Sequence, residues 1–157
     1  MTNEIIPNSG PLAGLKVLDL TRVLSGPYAN KWLALMGADV LKIENPKDPD
    51  ITRSYEPMVN GHSAYYPAFN HNKKSLTLNL KDPRAKEIFR QLVKDADIVM
   101  ENFRPGVMDK LGLGYEELSK INPGIIYASI SGYGTYGPYS QLPGYDVSAQ
   151  AISGSFL

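Results

Sequence analysis

Residues 16–44 read KVLDLTRVLSGPYANKWLALMGADVLKIE. The run Lys16-Val17-Leu18-Asp19-Leu20 is short, apolar and partly β-branched, with Gly14 before it and polar Thr21-Arg22 after it, which is the pattern of a strand. Ala29, Trp32, Leu33 and Met36 then recur at helical spacing and Gly37 supplies a stop, so the spacing predicts a helix opening at Ser25 or Gly26. Asp39 to Glu44 reads as a second buried strand, closed by the Asn45-Pro46 break. Strand, helix, strand makes a βαβ unit. Its crossover sets the two strands parallel and turns the loop RVLSGPY, at the carboxyl end of the first strand, toward the ligand side.

The rest of the chain extends this unit. Pro46 to Asn70 shows no periodicity and carries Pro46, Pro49, Pro57, Gly61 and Pro67, so it is expected to be a long loop of functional or interface-forming character. Ser75 to Leu80 alternates Leu76, Leu78 and Leu80 with polar residues, as a half-exposed strand near a sheet edge would. Ala85, Ile88, Phe89, Leu92 and Val93 mark a helix that Asp82 caps and Pro83 opens. A buried strand follows at Ala96–Glu101, then a turn at 102–106, short helices at 107–111 and 115–121, and a last strand at 124–129. Alternation of this kind implies an α/β fold, a mostly parallel sheet with helices on both faces. The loop SGYGTYGPYSQLPG is expected to pack its tyrosines against the sheet, and a further helix to open at Val147 with Asp146 as its capping carboxylate. Residues 1–10 read as a flexible leader and 11–157 as one domain.

Composition narrows the partners. The 157 residues are 43% hydrophobic, enough for one domain, and 16 basic residues balance 16 acidic ones. No long run of one sign suggests nucleic acid or a membrane surface as partner. Cysteine is absent, which excludes disulfides and thiolate chemistry and fits a reducing, cytoplasmic setting. No stretch of about 18 apolar residues occurs. His62 and His71 lack a second ligand at metal spacing, so no metal site is expected.

Several signatures fail: GxGxxG after the first strand, GxxxxGK[ST], HExxH and GxSxG are all missing. A different set of strings stands in fixed order: GLKVLDLTRVLSGPY, LMGADVLKIENP, NHNKKSLTLNLKDP, DIVMENFRPGVMDKLGLGYEEL, NPGIIYASISGYGTYGP and PGYDVSAQAISG. Together they resemble the class III coenzyme A-transferases, the CaiB/BaiF family that includes formyl-CoA transferase and α-methylacyl-CoA racemase. The likeness runs from about Pro11 to the end. It implies a Rossmann-like N-terminal region that binds CoA or acyl-CoA as substrate, with a carboxylic acid as second substrate and no permanently bound cofactor. It also implies a homodimer of interlocked chains. In the family an aspartate attacks the acyl-CoA thioester, giving a mixed anhydride and then an aspartyl-CoA thioester. That aspartate sits in a Gly-Asp segment downstream of the string matched by PGYDVSAQAISG, so the chain is expected to be the N-terminal portion, without a catalytic residue of its own.

The resemblance also implies a set of CoA contacts. Val23, Leu24 and Ser25 fall in the loop along the adenosine and pantetheine arm, beside a helix start whose free N–H groups suit phosphate. Leu78 and Lys81 match positions flanking the adenine and the ribose phosphate, and Asn102 and Phe103 lie in the turn that meets the cofactor. Lys110 stands where formyl-CoA transferase has an arginine, keeping the cation and losing the fork. Asn45 also stands at an arginine position, so the match does not extend to formyl-CoA specificity. Tyr145 is the substrate-proximal position, where the related racemases carry a histidine that moves the α-proton. A phenol titrating near 10 argues for transfer over racemisation. Two alternatives stay open: an acyl-CoA racemase, and a non-catalytic CoA-binding or dimerisation fragment.

Overall fold

The computed structural model describes residues 9–155. Most of the expected leader, residues 1–8, lies outside the described residues. At its end Gly10, with φ 147°, sits so close to the Met36 carbonyl that a Cβ there would meet the oxygen at 2.4 Å.

In chain order the elements are β1 Lys16–Asp19, α1 Ser25–Leu35, β2 Asp39–Glu44, a 3-10 turn Ile51–Ser54, β3 Met58–Val59, β4 His62–Ser63, α2 Tyr65–Asn70, β5 Lys74–Thr77, α3 Pro83–Lys94, β6 Ile98–Glu101, α4 Val107–Lys110, α5 Tyr115–Ile121, β7 Ile126–Ser129 and α6 Asp146–Ile152. Five strands form one sheet in the order β5-β2-β1-β6-β7. All four pairings are parallel. The order runs outward one way from β1 through β2 to β5, and the other way through β6 to β7. The switch point therefore lies between β1 and β6, where open α/β sheets bind ligands at the strands' carboxyl ends.

Strand alternation assigns the two faces. Val17 and Val40 join Ala34 and Ala38 under α1. Leu18, Ile43 and Val99 join Phe89, Met108, Leu113 and Leu118 beneath α3, α4 and α5. Helices thus cover both faces, as the βαβ pattern implies. In α3 the buried residues Ala85, Phe89 and Val93 recur every four positions, and the Asp82 carboxylate accepts the Arg84 N–H at 2.9 Å. Asp82 is the N-cap that the sequence predicts.

Three expectations need correction. Residues 46–70 are not one loop but hold the 3-10 turn, the β3–β4 hairpin and α2. Each element is six residues or shorter, too short to show a period in sequence. Asp146 is the first helical residue of α6, not its cap; Tyr145 takes that place without a side-chain bond. With its backbone already helical, the Asp146 carboxylate faces one turn on and accepts from Gln150 Nε2 at 2.6 Å. Not all the loop tyrosines pack on the sheet: Tyr136 is 85% and Tyr139 59% exposed, and Tyr139 lies edge to face on the half-buried Tyr133. Gly132 and Gly144 close that loop by backbone contact, which leaves no room for a Cβ on either.

Candidate functional site: a clamped loop over a switch-point cavity

On the α1 face, β1 carries Val17 then Asp19, and β2 carries Val40, Lys42 and Glu44. The apolar end of each row lies under α1. The charged end lies at the carboxyl ends of the strands and is equally buried: Asp19, Lys42 and Glu44 are all in the interior. Buried charges persist only when paired and hydrogen-bonded. The partners come from far along the chain. Lys73 donates to Asp19 at 2.9 Å and Lys42 to Asp50 at 3.3 Å, with side chains no more than 1% exposed in either pair. Lys73 fills its remaining donor positions with the Pro27 carbonyl and Asn70 Oδ1, both at 3.0 Å. Burial pulls the Lys73 ammonium below the usual lysine range, and Asp19 opposes it.

These charges hold the loop after β1. Asp19 accepts the Thr21 N–H at 2.9 Å and the Thr21 hydroxyl. Lys42 donates to the Thr21 carbonyl at 2.8 Å. Asn102, just past β6, brackets the next residue: its Oδ1 accepts from Arg22 N and its Nδ2 donates to Arg22 O, both at 2.7 Å. Asp50 accepts the Val23 N–H at 3.2 Å. Val23 itself has φ 70°. A β-branched residue there is strained by about 1–3 kcal/mol and persists only where its surroundings over-determine it. The clamp does so, and it fixes the turn that launches α1 with no side-chain cap at Leu24.

A second network stiffens the far wall. Arg53 grips Glu44 with two hydrogen bonds of 2.9 Å, Tyr66 donates to Glu44 at 2.6 Å, and the Arg53 guanidinium lies 3.8 Å from the Tyr66 ring centroid. Burial alone would raise Glu44. The bonds from Arg53, Tyr66 and the Asp50 N–H overcome it and hold the carboxyl at about 2. Burial first, then the adjoining Glu44 carboxylate, pushes the Tyr66 phenol up.

Beside the loop lies a cavity of about 290 Å³ with Leu20, Ile43, Leu78, Leu80, Phe103, Val107 and Leu111 as its apolar lining and Arg22, Asn45, Asp48 and Lys81 among its polar groups. A larger cavity of about 550 Å³, bordered by Lys16, Asp39 and Lys74, opens at the amino ends of β1, β2 and β5. We take the smaller one as the candidate site, because it has the converging polar groups and lies at the strands' carboxyl ends.

Of the residues singled out from the sequence, Asn45, Leu78, Lys81 and Phe103 line this one cavity. Val23, Leu24 and Ser25 form the exposed shoulder of the clamped loop. Asn102 spends its amide on the Arg22 peptide, and so shapes the loop from behind. Lys110, exposed at the end of α4, and Tyr145, 71% exposed at the start of α6, do not border the cavity. Sequence reasoning missed Asp19, Arg22, Lys42, Asp50, Arg53, Tyr66 and Lys73. The one local signal was a charge at every second position of an otherwise apolar strand, as in VLKIE. Among the described residues no group of three or more His, Cys, Asp or Glu could hold a metal ion, and no helix is long and apolar enough to cross a membrane.

Residues 12–157 match the family model of CoA-transferase family III. The chain is 52% identical over 148 residues to the acetyl-CoA:oxalate CoA-transferase of Acetobacter aceti, covering 94% of this chain and 38% of that protein. It is 50% identical over 145 residues to the succinyl-CoA:glutarate CoA-transferase of Mus musculus, covering 92% and 33%. The fold superposes on the crystal structure of a CaiB/BaiF family protein from Brucella suis with a TM-score of 0.88 at 44% identity, covering 94% of this chain and 40% of that one. The chain thus spans between a third and two fifths of the length of these relatives. A family match across nearly the whole chain, with about half the residues identical to those of the two enzymes and the same fold as the solved structure, leads to one conclusion: the chain belongs to CoA-transferase family III.

Proposed function

We propose that this chain carries the acyl-CoA-binding region of an enzyme that moves coenzyme A between an acyl-CoA and a free carboxylic acid. The observation that carries the reading is the cavity at the switch point. Its apolar lining, with Leu78 and Phe103, suits a flat base, and Arg22 and Lys81 beside it suit phosphate. Both relatives named above act on a dicarboxylate, oxalate or glutarate, and a small dicarboxylate is the acceptor class proposed here. In the complete enzyme an aspartate carboxylate attacks the thioester and expels CoA thiolate, giving a mixed anhydride. The thiolate attacks the aspartyl carbonyl and releases the donor as its free carboxylate. The acceptor carboxylate and the thiolate then repeat the two exchanges, giving the acceptor's CoA thioester and the free aspartate. No residue of this chain is assigned that nucleophile's part.

What these residues do is bind and orient. Leu78 and Phe103 sandwich the base, Lys81 faces the ribose phosphate, and Asn45 offers a neutral amide at the rim. Val23, Leu24 and Ser25 flank the diphosphate and pantetheine arm, where α1 opens with its first N–H groups free of side-chain caps. Lys110 and Tyr145 serve the outer part of the substrate, and Tyr145, a phenol, favours transfer over α-proton exchange. A homodimer and a cytoplasmic setting complete the proposal, the second supported by the absence of cysteine. CoA is a substrate throughout, with no resident cofactor or metal.

Calorimetric titration with acetyl-CoA tests the reading. Binding is expected, weakened about fivefold or more by Phe103→Ala, since stacking of a base on an aromatic ring contributes about 1–3 kcal/mol. Absence of heat with acetyl-CoA, or unchanged affinity in the Phe103 variant, would remove the cavity from the function.

A further inference from the structure

At the cavity rim the Asp48 carboxylate lies in the fork of Arg22, Oδ2 at 3.0 Å from Nη1 and Oδ1 at 3.1 Å from Nη2. The field of Lys81 also reaches it, after that of Arg22, and together they hold Asp48 below the usual carboxylate range. Asp48 is thus the exposed anion beside two cations at the edge of a cavity proposed above to take a phosphorylated ligand; the other carboxylates lining it, Glu44 and Asp50, are buried and paired with Arg53 and Lys42. The two partners of this pair are not equally fixed. Arg22 has its backbone bracketed on both sides by Asn102, and its Nη2 donates to the Pro49 carbonyl at 2.7 Å. Asp48 projects from the turn after Asn45 with its side chain 69% exposed.

We propose that Asp48 is a built-in stand-in for a phosphate group. It occupies the Arg22–Lys81 anion subsite in the free chain and swings out when a phosphate of the CoA thioester takes its place. The ribose 3′-phosphate, a monoester, brings more negative charge than a carboxylate and three acceptor oxygens, and the diphosphate brings two charges over two phosphoryl groups, either enough for the Arg22 fork and the Lys81 ammonium together. Arg22 is anchored at its peptide by Asn102 and at its guanidinium by the Pro49 carbonyl, so the cation stays at the cavity rim when the Asp48 side chain turns away. The pair lowers affinity in exchange for selectivity: an anion too weak to displace Asp48 does not enter. The proposal rests on the CoA reading and adds Arg22 and Asp48 to it as residues that set specificity.

The two accounts of the pair predict opposite signs. If Asp48 competes with the ligand, Asp48→Asn raises the affinity for acetyl-CoA about threefold to fivefold, the scale of an exposed ion pair, while Arg22→Ala lowers it. If the pair is only a staple for the turn, Asp48→Asn leaves affinity unchanged or lowers it, and the proposal falls. Asp48→Ala repeats the test without an amide in the fork. Titrating acetyl-CoA against 3′-dephospho-acetyl-CoA identifies the phosphate. Losses from Arg22→Ala and from the missing 3′-phosphate that do not add place the ribose phosphate in the fork, and losses that add place the diphosphate there. Acetyl-CoA bound by the wild type but not gained by the Asp48 variants overturns this inference alone. No binding by the wild type overturns it together with the CoA reading.

Discussion

Replacing Asp19 by asparagine keeps the shape of the side chain and removes one charge from the interior. The amide oxygen can still accept the Thr21 N–H, but the amide hydrogens now face the Lys73 ammonium, which retains only Pro27 O and Asn70 Oδ1. Breaking a buried pair by removing one partner costs about 3–5 kcal/mol. Domains are stable by about 5–15 kcal/mol, so the loss is a third or more of the total for most of that range. The pH dependence identifies the cause. Burial already holds Lys73 below the ordinary lysine value, with Asp19 opposing; Lys42 adds to the lowering and Asp50 resists it. The unfolded chain keeps its lysine proton to about pH 10.4. Between the folded and unfolded values the unfolded state binds more protons, so stability rises with pH in that window. Removing the Asp19 charge extends the window downward. Urea titrations from pH 7 to 10 should therefore show a large deficit for Asp19→Asn that narrows as pH rises. A deficit below about 1 kcal/mol, or one constant across that range, would refute the account of the Asp19–Lys73 pair.

Three further outcomes are expected. Glu44, held at about 2, contributes stability that is present above the ordinary glutamate value and lost as pH falls toward 2. Arg53→Ala removes the largest interaction that opposes burial, leaving the bonds from Tyr66 and the Asp50 N–H, and the acid-unfolding midpoint read by circular dichroism should rise by roughly one pH unit. Burial first, against the hydrogen bond from the Phe103 N–H, raises Glu101, and among the described residues it forms no ion pair. Its charge is a liability above the folded value and vanishes below the unfolded one. Glu101→Gln should raise the melting temperature at pH 7 by about 2–4 °C, for about 1 kcal/mol, with the gain disappearing near pH 4. Finally, α6 buries none of its residues and leaves Val147 66% and Ile152 68% exposed. Apolar patches of this kind drive association, so the chain should sediment as oligomers or aggregates, and Val147→Ser with Ile152→Ser should reduce them; a clean monomer for the wild type counts against this.

The βαβ unit was legible because each of its elements announces itself locally: an apolar run at 16–20, helical spacing from Ala29 to Met36, a second run at 39–44. The same holds for α3, whose cap and stripe lie within twelve residues. Residues 46–70 were less legible, because two-residue strands and a six-residue helix leave no period to detect. The predicted strand 75–80 was too long for a physical reason. The ladder to β2 ends when Leu78 N bonds Glu44 O, and a turn at 79–82 follows, although Leu78 and Leu80 stay on the core side. Residues lining the cavity came from likeness to a family, since no spacing rule joins Asn45 to Phe103. The clamp was invisible altogether. Asp19 pairs with a residue 54 positions on, and Asn102 with one 80 positions back. In sequence each is one more charged or polar residue beside a strand, and only the parallel order of the sheet makes them neighbours.

That long reach has a consequence for how the site comes into being. Three successive residues, Thr21 to Val23, are tied to side chains that follow β2 or β6 or belong to β1 and β2 themselves, and the Asp19 anchor needs Lys73 from the approach to β5. No local fragment can prefigure this geometry, and the strained Val23 conformation has nothing to hold it until the central strands are aligned. Ligand affinity should then act as an inspection of assembly: a chain with one strand out of register would keep its helices yet present no seat for a nucleotide, so binding reports the integrity of the whole sheet.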